Sequence, residues 1–287
     1  MTAEFWLTQA FNGISYGALL FLLASGLSLI FGVMHIVNLA HGSYFMLGGY
    51  VGLSVVWRTG SFAAALACGA LAIGLVGIGM ERLFLRRLPA TQTLGQVLMT
   101  IGFALIFQDV ALLVWGGDPY TIPVPAALAG SARLGALTFP VYRAFIVAVA
   151  IVVGAALWLA LEATRTGAVI RAAVDDAEMA QGVGINVPRV SLLVFALGAA
   201  LAALGGVIGG AFLGVYPGAD FEVLPYAFVV VIVGGLGSLP GAMIGSLLVG
   251  LLDNFGKALF PELSYFTLFA PMALILALRP TGLFGRP

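Results

Sequence analysis

The chain has 287 residues, of which 62% are hydrophobic and 8% charged, and its formal net charge is zero. A soluble domain has about 25% charged residues, so this composition excludes a water-exposed surface over most of the chain, and the mean hydropathy of +1.13 indicates lipid as the solvent. A neutral chain also provides no electrostatic basis for binding nucleic acid.

Apolar segments long enough to span a membrane recur along the whole chain. Because a helix needs about 20 apolar residues to cross the hydrocarbon core, we predict an all-α polytopic membrane protein, a single domain over 1–287, with about eight or nine passes and broken helices. The stretch 223–256 would be about 50 Å long as one helix, and GGLGSLPG interrupts it at 234–241, so we divide it in two. The predicted segments are 9–33, 37–57, 61–80, 93–115, 139–161, 190–214, 223–236, 240–256 and 264–279.

The basic residues favour nine passes with the N-terminus outside, because cytoplasmic loops carry an excess of Lys and Arg. On the cytoplasmic side this arrangement places Arg82, Arg86, Arg87, Arg165, Arg171, Arg189, Arg279 and Arg286. On the outer side it places Arg58, Arg133, Arg143 and Lys257. The same arrangement predicts a cytoplasmic C-terminal tail.

Residues 35–50, HIVNLAHGSYFMLGGY, contain both histidines of the chain in an apolar setting. Asn38 and His41 are three residues apart and share a helical face, and polar side chains inside a membrane usually face a bundle interior or a wet cavity. They either hold a broken helix start and its neighbours together, or also border a substrate path with Gly42. His35 is expected in a solvated connection. A metal site is not expected, because two histidines without nearby Cys, Asp or Glu lack ligands.

The segment GGLGSLPGAMIGS, residues 234–246, is the second interruption of the apolar pattern. A helix broken at membrane depth survives only where protein or water satisfies the freed backbone groups. The segment is therefore either a turn between two short passes or a backbone-lined part of the path or gate. The path residues proposed here are Gly234, Gly235, Gly237, Ser238 and Pro240.

Several isolated residues predict packing contacts. Gly206 and Gly210 form a small-xxx-small pair, which is typical of closely packed membrane helices. Asp109 and Arg143 lie at matching distances from the same predicted side and are expected to form an ion pair. Cys68, the single cysteine, lies in an apolar run and is expected to be buried and inert.

The longest hydrophilic segment, 162–190, predicts a short helix that cannot span the membrane. Asp175 is expected to cap it, with Glu178 closing a capping box and Gly182 or Gly184 ending it. An isolated helix this short is unstable in water, so it needs a surface to lie on. An ordered loop and a docking helix for a cytoplasmic partner both remain open. No phosphate-binding loop or catalytic constellation is visible in the sequence, so we expect no enzyme activity.

Three motifs occur in one order over essentially the whole chain: VMHIVNLAHGSYFMLGGY (33–50), RAAVDDAEMAQGVGINV (171–187) and GGLGSLPGAMIGS (234–246). Together with the ending LRPTGLFG (278–285), they resemble the permease subunits of branched-chain amino acid ABC importers, LivH type. The resemblance implies a bacterial cytoplasmic (inner) membrane protein that forms half of a path for branched-chain or related small amino acids. The alternative is a gradient-driven secondary transporter of small amino acids or amides.

The resemblance also implies partners: a second related permease, two cytoplasmic ATPase subunits, an extracytoplasmic binding protein and membrane lipid. ATP and magnesium would bind the ATPase subunits, so no cofactor is expected on this chain. The 171–187 segment would be the ATPase coupling surface, with Ala180 allowing close approach. Its implied residues are Arg171, Asp175, Asp176, Glu178, Met179, Ala180, Gly184 and Ile185.

Overall fold

A computed structural model describes residues 2–88, 92–134 and 137–285, and α-helices dominate these ranges. The helices are α1 (Ala3–Met34), α2 (His41–Thr59), α3 (Phe62–Leu83), α4 (Thr93–Trp115), α5 (Val141–Ala163), α6 (Arg165–Asp175), α7 (Ala177–Gly182), α8 (Val187–Gly210), α9 (Ala219–Gly234), α10 (Leu239–Leu259) and α11 (Ser264–Leu278). Between α4 and α5, strands β1 (Ser131–Leu134) and β2 (Leu137–Pro140) form an antiparallel hairpin. The predicted all-α polytopic class is confirmed.

Within the described ranges, six helices are long and apolar enough to cross a membrane: α1, α3, α4, α5, α8 and α10. Helix α2 has 19 residues, α9 has 16 and α11 has 15. Each predicted segment overlaps one helix, but the total of eight or nine passes stays a prediction. Arg286, which entered the charge count, lies outside the described residues.

Helix α1 lies at the centre of the bundle, where α10, α8, α5 and α9 pack on it, and α2 packs on α8 and α3. Glycines allow this close approach. A Cβ added to Gly26 would overlap the Gly198 carbonyl group of α8, and one added to Gly206 would overlap the Phe45 carbonyl group of α2. Because lipid removes most of the hydrophobic drive between helices, such contacts between small residues stabilise the bundle. The packing role predicted for the glycines of α8 is confirmed.

Helix α3 packs on α2 and α8 with one side and leaves the other side exposed. Cys68 lies on the exposed side, so the expectation of a buried thiol is wrong. Both faces of this helix are apolar, since lipid as well as protein accepts apolar side chains. For that reason the apolar run around Cys68 carried no information about burial.

Candidate functional site

The connection between α1 and α2 places Asn38 and His41 in the protein interior, both with 0% exposure. The Asn38 carboxamide oxygen accepts a hydrogen bond from the Ala40 amide at 3.1 Å. His41 Nε2 donates to the Leu23 carbonyl oxygen of α1 at 2.9 Å. His35 is exposed and ends α1 with φ = 53°. These bonds support a broken helix start and tie it to α1, which is the packing role considered for the pair.

The start of α2 also meets the start of α9. Ser43 donates through its hydroxyl to Asp220 Oδ2 at 2.7 Å, and a Cβ on Gly42 would overlap the Asp220 carbonyl group. Asp220 is 2% exposed. Asn38 Nδ2, His41 Nδ1 and Asp220 Oδ1 are buried without a hydrogen-bond partner among the described residues. No pattern in the sequence indicates this junction, because Ser43 and Asp220 are 177 residues apart.

The interruption at 234–241 is a turn of four residues between α9 and α10. Gly235 and Gly237 have φ values of +105° and +78°, which only glycine adopts without strain. The Ser238 hydroxyl caps α10 by accepting from the Gly241 amide at 3.1 Å. Pro240 lies in the first turn of α10, where its missing N–H costs no helical bond. The predicted turn is therefore present; its place on a substrate path stays a prediction.

The C-terminal segment 278–285 packs against this turn. The Leu283 amide donates to the Val233 carbonyl oxygen at 2.9 Å, and the Phe284 amide donates to the Gly234 carbonyl oxygen at 2.9 Å. The last carbonyl groups of a helix lack hydrogen-bond donors within the helix. The tail supplies donors for two such carbonyl groups of α9. Two motifs that are separate in the sequence therefore form one packed unit.

Two cavities lie near α11. One, of about 110 Å³, is enclosed by α9, α10 and α11 and is lined by apolar side chains apart from Thr267. The other, of about 220 Å³, borders the turn and the tail, with Leu236, Thr281 and Gly285 among its walls. Neither is lined by Asn38, His41 or Gly42. Asn38 and His41 are fully buried and lie away from both cavities.

The segment 162–190 contains two helices, α6 and α7, where one was predicted. Asp175 is the last residue of α6, so its predicted role as a cap is wrong. The cap of α7 is Asp176, whose Oδ1 accepts from the Met179 amide at 2.9 Å. Glu178 consequently lies in the first turn, too early to close a capping box. Because Asp175 and Asp176 can each cap a helix, the sequence does not show which of them caps α7. Helix α6 includes Asp175, which leaves Asp176 as the cap.

Helix α6 anchors the segment on the bundle. Its apolar side packs against the end of α1, the start of α8 and Leu157 of α5. The residues of this cluster are Val169, Ile170, Ala173 and Val174 of α6, Leu29 and Val33 of α1, and Val190 and Val194 of α8. On its outer side, Arg171 Nη1 lies 3.6 Å from Glu162 Oε2, and both side chains are solvent-accessible. Helix α6 therefore connects α7 to α1 and α8.

Around helix α7, Asp176, Glu178 and Met179 of the expected coupling residues are exposed, but Ala180 is buried. Ala180 is 2% exposed, and its carbonyl oxygen accepts from the Ile185 amide at 3.0 Å, so its side chain faces the protein itself and cannot provide close approach to a partner. Gly184 turns the chain at φ = +91°. Met179 and Val183 are 66% and 72% exposed. They are four residues apart, and Val183 was missed from sequence although this spacing could have indicated it.

A bundle of apolar helices with two interruptions, one of them holding the buried side chains of Asn38 and His41, is typical of a multi-pass membrane protein of transporter type. The family described as "Branched-chain amino acid transport system / permease component" matches residues 9–278. The chain belongs to this family of ABC transport permeases, and it is a transport subunit rather than an enzyme.

Named relatives cover nearly the whole chain. The branched-chain amino acid permease LivH of Salmonella typhimurium is 32% identical over 99% of this chain and 96% of its own. BraD of Pseudomonas aeruginosa is 30% identical over 98% and 96%. The ribose import permease RbsC of Escherichia coli is 27% identical over 95% and 84%. No solved structure matches the chain.

Proposed function

We propose that the chain forms half of the translocation path of an ATP-driven importer for branched-chain or related small amino acids in the bacterial cytoplasmic membrane. Its partners are a second related permease, two ATPase subunits that bind ATP and magnesium, and an extracytoplasmic binding protein. The family match over 9–278 carries this proposal. The amino acid cargo follows the names of LivH and BraD, while the name of the more distant RbsC is that of a ribose permease.

The path is proposed to run past the two interrupted regions, at Asn38, His41 and Gly42 and at Gly234, Gly235, Gly237, Ser238 and Pro240. The buried polar atoms without partners at Asn38 and His41 support this assignment. Such atoms destabilise this state, and a hydrogen bond to substrate or water in another state would explain why they are present. The first region is buried in this structure, so the proposal requires the starts of α2 and α9 to separate during transport, whereas Gly237 and Pro240 of the second region are exposed.

Coupling to the ATPase is proposed to occur through α7. Met179 on α7 and Val183 directly after it are exposed and four residues apart, and an apolar pair at this spacing suits a groove on a partner. Asp175, Asp176 and Glu178 are exposed beside it. The remaining implied residues shape the segment: Arg171 pairs with Glu162, and Ala180, Gly184 and Ile185 hold the turn into α8.

Uptake by the reconstituted complex tests the mechanism. Proteoliposomes with both permeases, the ATPase subunits and the cognate binding protein should accumulate labelled leucine only when ATP is present on the side of the membrane that carries the ATPase subunits. Uptake that follows a proton or sodium gradient without the ATPase subunits would contradict the proposal. Measuring which of leucine, a small amide, urea or ribose the cognate binding protein retains tests the cargo; retention of ribose alone would reject an amino acid.

A further inference from the structure

Helix α4 packs on the protein with one narrow face. Its buried residues are Gln96, Thr100, Ala104 and Ala111, and the Thr100 hydroxyl accepts from the Leu39 amide at 3.2 Å. The opposite face is exposed along the helix, with large apolar side chains that include Leu105 at 50% and Leu113 at 86%. This face has no cover among the described residues.

Asp109 lies in the middle of that exposed face, one helical turn from Leu105 and one from Leu113. It is six residues before Trp115 at the end of α4, which is about 9 Å along the helix. The expected ion pair with Arg143 is wrong, because Arg143 donates to Asn12 and lies 5.0 Å from the centre of the Phe212 ring. Among the described residues Asp109 has no ion-pair or side-chain hydrogen-bond partner.

The neighbouring outer helices show that this carboxylate is unusual. The exposed face of α3 presents Leu71 and Leu75, and that of α5 presents Ile151, Val152 and Trp158, all of which suit lipid. A charged side chain at membrane depth is disfavoured by lipid, usually faces protein or water, and marks a functional contact. Lipid is therefore a suitable neighbour for the outer faces of α3 and α5 but not for that of α4.

We propose that the outer face of α4, centred on Asp109, is covered by the second permease subunit, whose facing helix presents a cationic or hydrogen-bond-donating side chain to the Asp109 carboxylate. This inference rests on the proposed pairing of two permeases. Gly102, two turns before Asp109, has open space around it, since a Cβ there meets nothing within 4 Å, so another helix can approach closely. Charge complementarity selects the occupant, because a carboxylate in the membrane requires a donor that lipid tails lack.

A second copy of this chain does not fit the same face. A two-fold contact uses the same patch on both subunits, which would bring the Asp109 carboxylates at its centre towards each other. Like charges at short distance disfavour the ionised form of both. A related chain with a different residue at the facing position removes this conflict.

Photo-crosslinking in the assembled complex tests the location. Benzoylphenylalanine replaces Leu105 or Leu113 on α4, and the matched controls replace Leu71 on α3 and Val152 on α5, whose side chains are similarly exposed in this structure. Adducts with the second permease are expected at the two α4 positions and not at the controls. Adducts at Val152 or Leu71 instead, adducts between two copies of this chain, or lipid adducts alone at α4 would each overturn the proposal.

Asp109 variants test the charge. With Asp109→Leu, at least tenfold less second permease should co-purify than with the unmodified chain, while Asp109→Asn should give an intermediate loss because it keeps a hydrogen-bond acceptor. Asp118→Asn, in the exposed connection after α4, should have no effect. Equal recovery for Asp109→Leu and the control would contradict the role of the carboxylate. If no second permease co-purifies with the unmodified chain, the proposed pairing of two permeases is contradicted. If it co-purifies but crosslinks elsewhere, the two permeases pair through another face.

Discussion

Truncating the exposed apolar pair of α7, with Met179→Ala and Val183→Ala together, should weaken docking of the ATPase. Full burial of a Val or Met side chain is worth about 1.5–3 kcal/mol. About two-thirds of each side chain is available for burial, 66% for Met179 and 72% for Val183. Because alanine keeps each Cβ, the double variant should lose about 2–3 kcal/mol, or about 30–150-fold in dissociation constant.

The assay is binding of the purified ATPase subunit to the permease pair in lipid nanodiscs, with uptake measured in parallel. Gln181→Ala is the matched control, since Gln181 is exposed on the same helix but polar. Asp176 and Ala180, which hold α7 in place, remain unchanged, so the helix itself should persist. An unchanged dissociation constant for the double variant, or the same loss in Gln181→Ala, would refute α7 as the docking surface. Substitution of Ala180 by a large residue is unsuitable as a test, because its side chain is buried.

Three further outcomes follow from the fold. His41→Ala should lower the free energy of unfolding by about 2–4 kcal/mol, because it leaves a cavity and removes a hydrogen bond, and the thermal unfolding midpoint in detergent should fall accordingly. Unchanged stability with abolished uptake would favour a path role alone. Gly206→Ala should sharply reduce the yield of folded protein, whereas Gly79→Ala should be tolerated because a Cβ there meets no atom within 4 Å. Equal yields of the two variants would show that α2 and α8 are packed less closely than in this structure. A topology reporter after Arg286 should read cytoplasmic and one near Lys257 external, and a cytoplasmic signal at Lys257 would reject nine passes.

Sequence alone predicted that the membrane helices exist and where the chain turns between α9 and α10, but it did not predict the helices' bounds in 162–190 or which way side chains face. The turn at 235–238 follows from its glycines and Pro240, whose backbone requirements are local. The cap of α7 was placed one residue too early, at Asp175 instead of Asp176, because both residues can cap a helix and only the extent of α6 separates them.

The composition by itself determined that lipid surrounds this protein, and three separated motifs were enough to indicate its family. Only the tertiary structure decided the orientation of individual side chains: Cys68 outward, Ala180 inward and Asp109 on an uncovered face. It also brought Ser43 to Asp220 across most of the chain. The physical reason is that a helix in lipid is apolar on its buried and its exposed side alike, so the periodic pattern that identifies the buried face of a soluble helix is largely absent.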